Sequence, residues 1–353
     1  MSPLPAVALD VMGADRGVPE VLAALPSVLQ SRSDARIILV GDEQQIRPEL
    51  GKLGLDGESR LDVQHAASVI TMEDKPKQAY KAKKDSSMLS AIALVAEGKA
   101  GAVVSCGNTG VLQFSSTLML RKCAGLERPA LATMMPSRNH HWLLVDAGAE
   151  PNTTARQLAL NGVLGSAYYA AVTDTPRPRV GLLTIGTEEG KGTDRIAAAH
   201  KLLKQLDGLI EYKGLVEGFD TFNQGAEVVV TDGFTGNIVL KTLQSCLRTF
   251  NGFLREALKA NPWRMLGAAI AKGGFDAVKR EFDPARYGGA PLLGLNGLAF
   301  KTHGSSDRHY VAGALRIAID SLAHELPTSI AAKVEAAAER LKTPEAIEEA
   351  AAS

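Results

Sequence analysis

Cysteine is scarce in this chain. Cys106, Cys123 and Cys246 are too few for the disulfide framework of a small secreted domain, so a reducing compartment is expected. Aromatic residues make up only 5%, which argues against stacking platforms for bases or sugars. An excess of one charge is also missing. Lys plus Arg and Asp plus Glu both total 39, which excludes a strongly basic nucleic-acid binder and an acidic disordered tail. No window approaches the roughly 18 uninterrupted apolar residues of a spanning helix. Residues 1–5 do not read as the start of a secretory segment, so a cytoplasmic protein is expected. There is no Gly-x-x-x-x-Gly-Lys-Ser/Thr, and Met12–Gly17 lacks the glycine spacing of a dinucleotide fingerprint. The seven histidines and three cysteines show no zinc-ligand spacing. No cofactor and no metal are expected.

What is present is a folded, enzyme-sized chain of 353 residues, 45% hydrophobic, with 34 glycines. Short apolar runs alternate with helical stretches of about ten to fifteen residues. Strands are expected at Val7–Leu9, Arg36–Val40, Ala102–Ser105, Ala130–Met134, Trp142–Val145, Val180–Ile185 and Glu227–Thr231. A long helix is expected over Thr153–Ala171, with Thr153 as its cap. The alternation predicts one α/β domain over residues 1–353 with a largely parallel, doubly covered sheet. Strand signals vanish between Asn237 and Arg280, where two helices broken near Ala260-Asn261-Pro262 should project as an arm over 237–284. Thr328–Ala352 reads as a polar helix or frayed tail.

Glycine-bearing polar loops follow several strands: Asp10–Gly17, Ser105–Gly110, Asp146–Ala149, Ile185–Gly192, Asp232–Asn237 and His303–Asp307. Carboxyl ends of parallel strands share one edge, so these loops are expected to converge there. Backbone N–H groups of Gly107, Gly110, Gly233 and Gly236, and the helix starts behind them, would present positive potential to an anion. Asn108, Thr109, Thr235, Asn237 and Ser305 would add donors, and Lys191, Lys241 and Lys301 would neutralise phosphate charge. Helix capping is a competing use for Asn108 and Thr109, and turn formation competes at Asp10, Asp146 and Asp232.

Several segments together resemble a known family. They are Ala8–Asp15 (ALDVMGAD), Lys83–Met88 (KKDSSM), Ser105–Gly110 (SCGNTG), Asp232–Asn237 (DGFTGN), Tyr287–Gly294 (YGGAPLLG) and His303–Ser306 (HGSS). The chain from about Val7 to Ile319 resembles the phosphate acyltransferases of bacterial phospholipid synthesis, the acyl-ACP:phosphate acyltransferases. The resemblance implies a three-layer α/β/α sandwich of the isocitrate/isopropylmalate dehydrogenase and phosphotransacetylase group, with the long-helix pair projecting from it. It implies transfer of a fatty acyl group from acyl-acyl-carrier-protein to inorganic phosphate. It also implies a homodimer, peripheral contact with the inner face of the cell membrane, and a downstream glycerol-phosphate acyltransferase.

Catalytic roles then fall to His303, Asn108, Asn237 and Lys301. Phosphate or substrate contacts fall to Asp10, Lys83, Lys84, Gly107, Thr109, Gly110, Asp146, Lys191, Asp232, Gly233, Thr235, Gly236, Lys241 and Ser305. Cys106 reads as a small apolar residue rather than a covalent nucleophile. Ala14, Lys81, Glu150, Thr187 and Gly190 depart from the family's commoner residues, and a carboxylate at 150 would repel phosphate if it faced the site. Trp263, Met265, Leu266 and Ile270 flank the helix break. Between Gly252 and Arg286 seven Lys/Arg against four Asp/Glu give the apolar tip basic neighbours suited to a lipid interface; an inward-packed dimer helix pair is the alternative. Two other functions stay open: a phosphate acetyltransferase-like enzyme using small acyl-CoA, and a non-catalytic acyl-carrier or lipid-binding regulator.

Overall fold

The computed structural model describes residues 4–137, 141–188, 191–223, 225–282 and 288–342. Gly190, Tyr287 and the last two residues of the expected arm lie outside the described residues. The strands are β1 Ala6–Asp10, β2 Arg36–Gly41, β3 Leu61–His65, β4 Ala102–Ser105, β5 Ala130–Met135, β6 Trp142–Val145, β7 Arg179–Thr184, β8 Glu211–Glu217, β9 Val228–Val230, β10 Ala290–Leu293 and β11 Leu298–Lys301. The helices are α1 Gly17–Leu22, α2 Leu25–Ser31, α3 Glu43–Lys52, α4 Pro76–Ala82, α5 Ser87–Ala96, α6 Thr109–Met119, α7 Ala155–Val172, α8 Asp194–Gln205, α9 Gly218–Thr221, α10 Gly233–Lys259, α11 Pro262–Ile270, α12 Lys272–Glu281, α13 Arg308–Ala323 and α14 Leu326–Arg340.

All eleven strands join one sheet in the order β3-β2-β1-β4-β11-β10-β5-β6-β9-β7-β8. Strands β3, β2, β1, β4 and β11 run parallel. β10 is antiparallel to both β11 and β5, and β5 is antiparallel to β6. β6, β9, β7 and β8 then run parallel again. Three reversals are an odd number, so the two parallel runs point opposite ways. The single convergent edge expected from the sequence is therefore corrected. Loops after β1, β4 and β11 leave one edge, and loops after β6, β7 and β9 leave the other. The two reversals at β10 cancel, so the decisive one lies between β5 and β6, both expected as strands but paired antiparallel, a direction that their apolar runs do not encode. β10 and β11 were not anticipated. They form a hairpin whose turn carries positive-φ glycines at 294 and 297.

Period-two alternation sends side chains to both faces of the sheet. Val7 and Leu9 of β1, Ile37 and Leu39 of β2, and Val104 of β4 join one continuous core under α1, α2, α7, α8, α13 and α14. Tyr168 and Phe300 are among its largest fully buried side chains, and burying such a side chain contributes about 1.5–3 kcal/mol. The opposite face is divided. Ala8, Val40, Val103 and Ala299 pack beneath α5 and α6. Trp142, Leu144 and Val229 pack separately, against Val239, Leu240 and Leu243 of α10. Leu131 of β5 touches both clusters, so the seam runs over the reversal point.

Three further expectations change. The cap of α7 is Thr154, whose side chain accepts from Gln157 N, while the Thr153 hydroxyl donates to the Glu150 carbonyl. The region after Asn237 holds three helices, because the chain turns again between α11 and α12. Of the two readings of Thr328–Ala352 the helix holds over its described part, as α14, but it is docked rather than polar: Leu326, Ile330, Val334 and Ala337 are buried, in the same core as Leu160 and Leu164 of α7, and residues 343–352 lie outside the described residues.

Candidate functional site

The first loop set is built on the last residues of three neighbouring strands. Asp10, Ser105 and Lys301 sit in register at the carboxyl ends of β1, β4 and β11. Asp10 is buried and accepts a 2.6 Å hydrogen bond from Ser105 Oγ. The same hydroxyl accepts from Gly107 N at 3.0 Å. Burial pushes the Asp10 carboxyl up, against hydrogen bonds from Ser105, Ser87 and the Met12 N–H and the attraction of Lys301. The loop after β1 lies directly on this turn. A Cβ on Gly13 would meet Gly107 Cα and N at 2.7 Å, which only glycine at 13 avoids.

Lys301 Nζ donates to the Cys106 carbonyl at 3.3 Å and to the Thr302 carbonyl. Burial lowers its pKa to about 8, with Cys106, Asp10 and Asp15 opposing and Lys241 assisting. The Cys106 thiol is buried and accepts from Thr302 Oγ1 at 2.8 Å. Burial raises its pKa to about 11, so the thiolate is scarce at neutral pH.

Asn108 caps α6, its Oδ1 accepting from Val111 N at 3.1 Å. Its Nδ2 lies within 3.0–3.1 Å of the Thr71, Met72 and Asp74 carbonyls. The side-chain donors expected for substrate are thus spent on the 71–74 turn. The cap takes only the Val111 N–H, so it leaves over the first-turn N–H groups of Thr109 and Gly110. Lys83 is also committed, to the Val69 carbonyl at 2.9 Å and Asp74 at 2.5 Å. Lys84 is exposed.

His303 follows β11. Its Nδ1 accepts from Ser305 N at 3.2 Å and lies 2.8 Å from Ser305 Oγ. A backbone N–H can only donate, so Nδ1 is the acceptor and the ring proton sits on Nε2. Desolvation, then Lys301 and Lys241, lower the His303 pKa, so the ring is neutral at pH 7. Ser306 Oγ in the same loop is buried without a hydrogen-bond partner among the described residues.

The second loop set centres on Asp146, also buried. Its Oδ1 accepts from Leu131 N, Gly148 N and Ala149 N at 2.8–3.1 Å, and Oδ2 from Glu150 N at 2.8 Å. Burial still outweighs these four bonds and raises its pKa to about 6. Asp232 caps α10 through Thr235 N at 2.9 Å and pairs with Arg195 at 3.1 Å. α10 starts hard against the Asp146 loop. Gly233 N donates to the Glu150 carbonyl at 2.9 Å, and a Cβ on Gly236 would lie 1.8 Å from the Asp146 carbonyl oxygen. Asn237 is exposed and stands over Gly148. Lys191 is exposed beside Gly186. Glu150 turns away from this opening: its carboxylate accepts from Asn152 N and pairs with Arg128 at 3.5 Å.

Two helices connect the sets across the seam. Gln113 Nε2 of α6 donates to the Ala149 carbonyl at 2.8 Å. Lys241 lies nine residues into α10, about 13 Å along its axis, and its charge acts on both Lys301 and His303. Lys301, His303, Thr109 and Gly110 thus belong to one set, and Asp146, Lys191, Thr235 and Asn237 to the other. Lys241 acts between them. Ser105, Asp15, Gln113, Thr302 and Arg195 were missed as site residues. Ser105 carried a signal, a lone serine closing a fully apolar strand. The others act only through tertiary neighbours.

No group of three or more potential metal-ligating His, Cys, Asp or Glu residues occurs among the described residues. Among the described residues, α10 buries only Gly233 and Gly236, at its start, and α11 buries none. Trp263 and Ile270 are each 81% exposed, and Met265 and Leu266 each 54%. A groove of about 790 Å³ runs between α10, α11 and α12, lined by Phe250, Leu254, Leu258, Met265, Phe275 and Phe282 among others.

This arrangement defines an α/β protein of the phosphotransacetylase structural class. The fold matches a phosphotransacetylase from Streptococcus pyogenes with a TM-score of 0.61, covering 92% of this chain and 95% of that one at 17% identity. A Staphylococcus aureus phosphotransacetylase gives 0.58, with 90% and 94% covered at 18% identity. Residues 6–328 match the family model described as "Fatty acid synthesis protein". The chain is 40% identical over 312 residues to a phosphate acyltransferase of Caulobacter vibrioides, covering 88% of this chain and 86% of that protein. It is 39% identical to one of Chromobacterium violaceum, covering 96% and 98%. The chain belongs to the phosphate acyltransferase family.

Proposed function

We propose that this protein transfers a long-chain fatty acyl group from the thioester of acyl-acyl-carrier-protein to inorganic phosphate. A phosphate oxygen attacks the thioester carbonyl carbon, a tetrahedral oxyanion forms, the C–S bond breaks, and acyl phosphate and the carrier thiolate separate. A thiol with a pKa near about 8.5 leaves without strong protonation. The work left to the protein is to hold phosphate at the carbonyl and stabilise the oxyanion.

The observation that carries this reading is the state of His303. Its Nδ1 is committed to the Ser305 N–H, so Nε2–H is a fixed donor on a neutral ring. Lys301 and Lys241 supply positive potential beside it. The thiol that would make a covalent route is buried and protonated, which favours direct transfer. Thr109 and Gly110 N–H groups receive phosphate oxygens; Lys191, Thr235 and Asn237 meet the donor from across the seam.

The arm has two roles in this proposal. The exposed face of α11, with Trp263, Leu266 and Ile270, lies in the lipid interface, and the apolar groove beside it pairs with a second copy. Among the described residues no helix is long and apolar enough to cross a membrane, so the contact is peripheral. The product, a mixed anhydride, is then passed to an acyltransferase that uses glycerol phosphate.

Purified protein supplied with phosphate and either long-chain acyl-acyl-carrier-protein or acetyl-CoA tests the reaction. Acyl phosphate from the carrier-bound donor is expected. Acetyl phosphate alone would select the small-acyl enzyme, and binding without turnover would select the regulator. Trp263→Glu with Leu266→Glu is expected to weaken liposome binding while sparing activity in solution; equal loss of dimerisation would assign that face to the subunit contact instead.

A further inference from the structure

We infer that Asp10, Ser105 and Lys301 are positioning residues, a side-chain relay that locks the loop before α6 to the loop after β11 and so sets where phosphate sits against His303. The inference deepens the phosphate-transfer reading above and rests on it. The three residues are register partners on adjacent parallel strands. Their side chains therefore share one face of the sheet, strands being about 4.8 Å apart, and they form a polar last rung beyond the apolar rungs of Ala8, Val103 and Ala299.

The relay converges on one peptide group. Its N–H, from Gly107, donates to Ser105 Oγ at 3.0 Å, and that hydroxyl donates on to Asp10 at 2.6 Å. Its carbonyl, from Cys106, accepts from Lys301 Nζ at 3.3 Å. The N–H end of the 106–107 peptide is thus held by Ser105 of β4 itself, which Asp10 of β1 fixes, and the carbonyl end by Lys301 of β11. Lys301 reaches at the same time the carbonyl of Thr302, the peptide that leads into His303. One ammonium therefore ties the chain entering the α6 turn to the chain carrying the imidazole. Asp10 and Ser105 are buried at 1% and 0% exposure, so neither is placed to touch substrate. Their effect passes through the peptide they orient.

The test is a steady-state comparison of Ser105→Ala, Lys301→Met and the double variant, with melting curves as the folding check. Each single change is expected to raise the KM for phosphate about tenfold while the KM for the acyl donor stays within about twofold. The double variant should be no worse than the poorer single one, because both release the same peptide. Lys301→Arg should recover part of the loss. Multiplying effects, a donor KM rising in parallel, or an unchanged phosphate KM in a folded variant would each overturn the inference. If the singles fail to fold, Asp10→Asn, which keeps the shape and still accepts the Ser105 hydroxyl, is expected to raise the phosphate KM about threefold; no rise sinks the relay. A wild-type protein that makes no acyl phosphate from either donor defeats the reaction instead. The relay is then read from inorganic phosphate binding by calorimetry, where the same non-additive pattern in Kd is required.

Discussion

Two buried aspartates close two strands pointing opposite ways, and the protein treats them differently. Asp10 is met mainly by side chains: Ser105, with Ser87 and the Lys301 charge nearby. Asp146 is met by four backbone N–H groups and, among the described residues, by no ion pair. A carboxylate held by backbone fixes the path of its own loop, whatever side chains stand around it. A carboxylate held by side chains from other strands links loops that are remote in sequence. The Asp146 loop is therefore a rigid seat, on which α10 begins. The Asp10 cluster is the joint between the turn that starts α6 and the segment that carries His303.

The largest test of this contrast is at the seat. Gly236→Ala places a methyl 1.8 Å from the Asp146 carbonyl oxygen, so α10 must shift. A loss of about 3 kcal/mol or more in chemical unfolding is expected, with activity falling alongside; a near-neutral result would mean the seat yields. Asp146→Asn comes next. An amide nitrogen cannot accept from Glu150 N as Oδ2 does, so about 1–3 kcal/mol should be lost.

The same residue gives a pH signature. Its folded pKa is raised from 3.8 to about 6, so the folded state binds more protons than the unfolded one between those values. Its contribution is fully present below about 3.8 and is lost as pH rises through about 6. Denaturation of wild type and Asp146→Asn across that window should show slopes that differ by the Asp146 share, the variant losing less stability as pH rises.

Smaller effects are expected away from both aspartates. Cys106→Ala removes a thiol held protonated by burial, and most activity should remain. Complete loss of turnover in a folded variant would restore the covalent route. Glu150→Asn with Lys81→Arg should change the phosphate KM least, within about twofold, because the Glu150 carboxylate already pairs with Arg128 and Lys81 is exposed. A clear gain in phosphate affinity would show that the pairing does not shield it.

Much of this was legible in the chain. β4 and β6 have the bounds that their apolar runs predict. Asp232 and Asn108 announce helix starts by residue type. A helix after Thr328 was among the readings of the sequence, but its docking was not legible, because its alanines look polar-tail-like until α7 is placed beneath them. The spent amide of Asn108 was hidden for a similar reason: its acceptors, at 71–74, lie more than thirty residues away.

The sequence alone determined the strand-and-helix alternation, the glycine turns and the family motifs, because each depends on residues close together along the chain. Only the tertiary structure decided that the sheet reverses at β10 and between β5 and β6, that the loops therefore divide between two edges, and that α6 and α10 span the seam between them. Strand direction and order depend on pairings between segments far apart in the chain, and local propensity carries no record of which partner a strand will take.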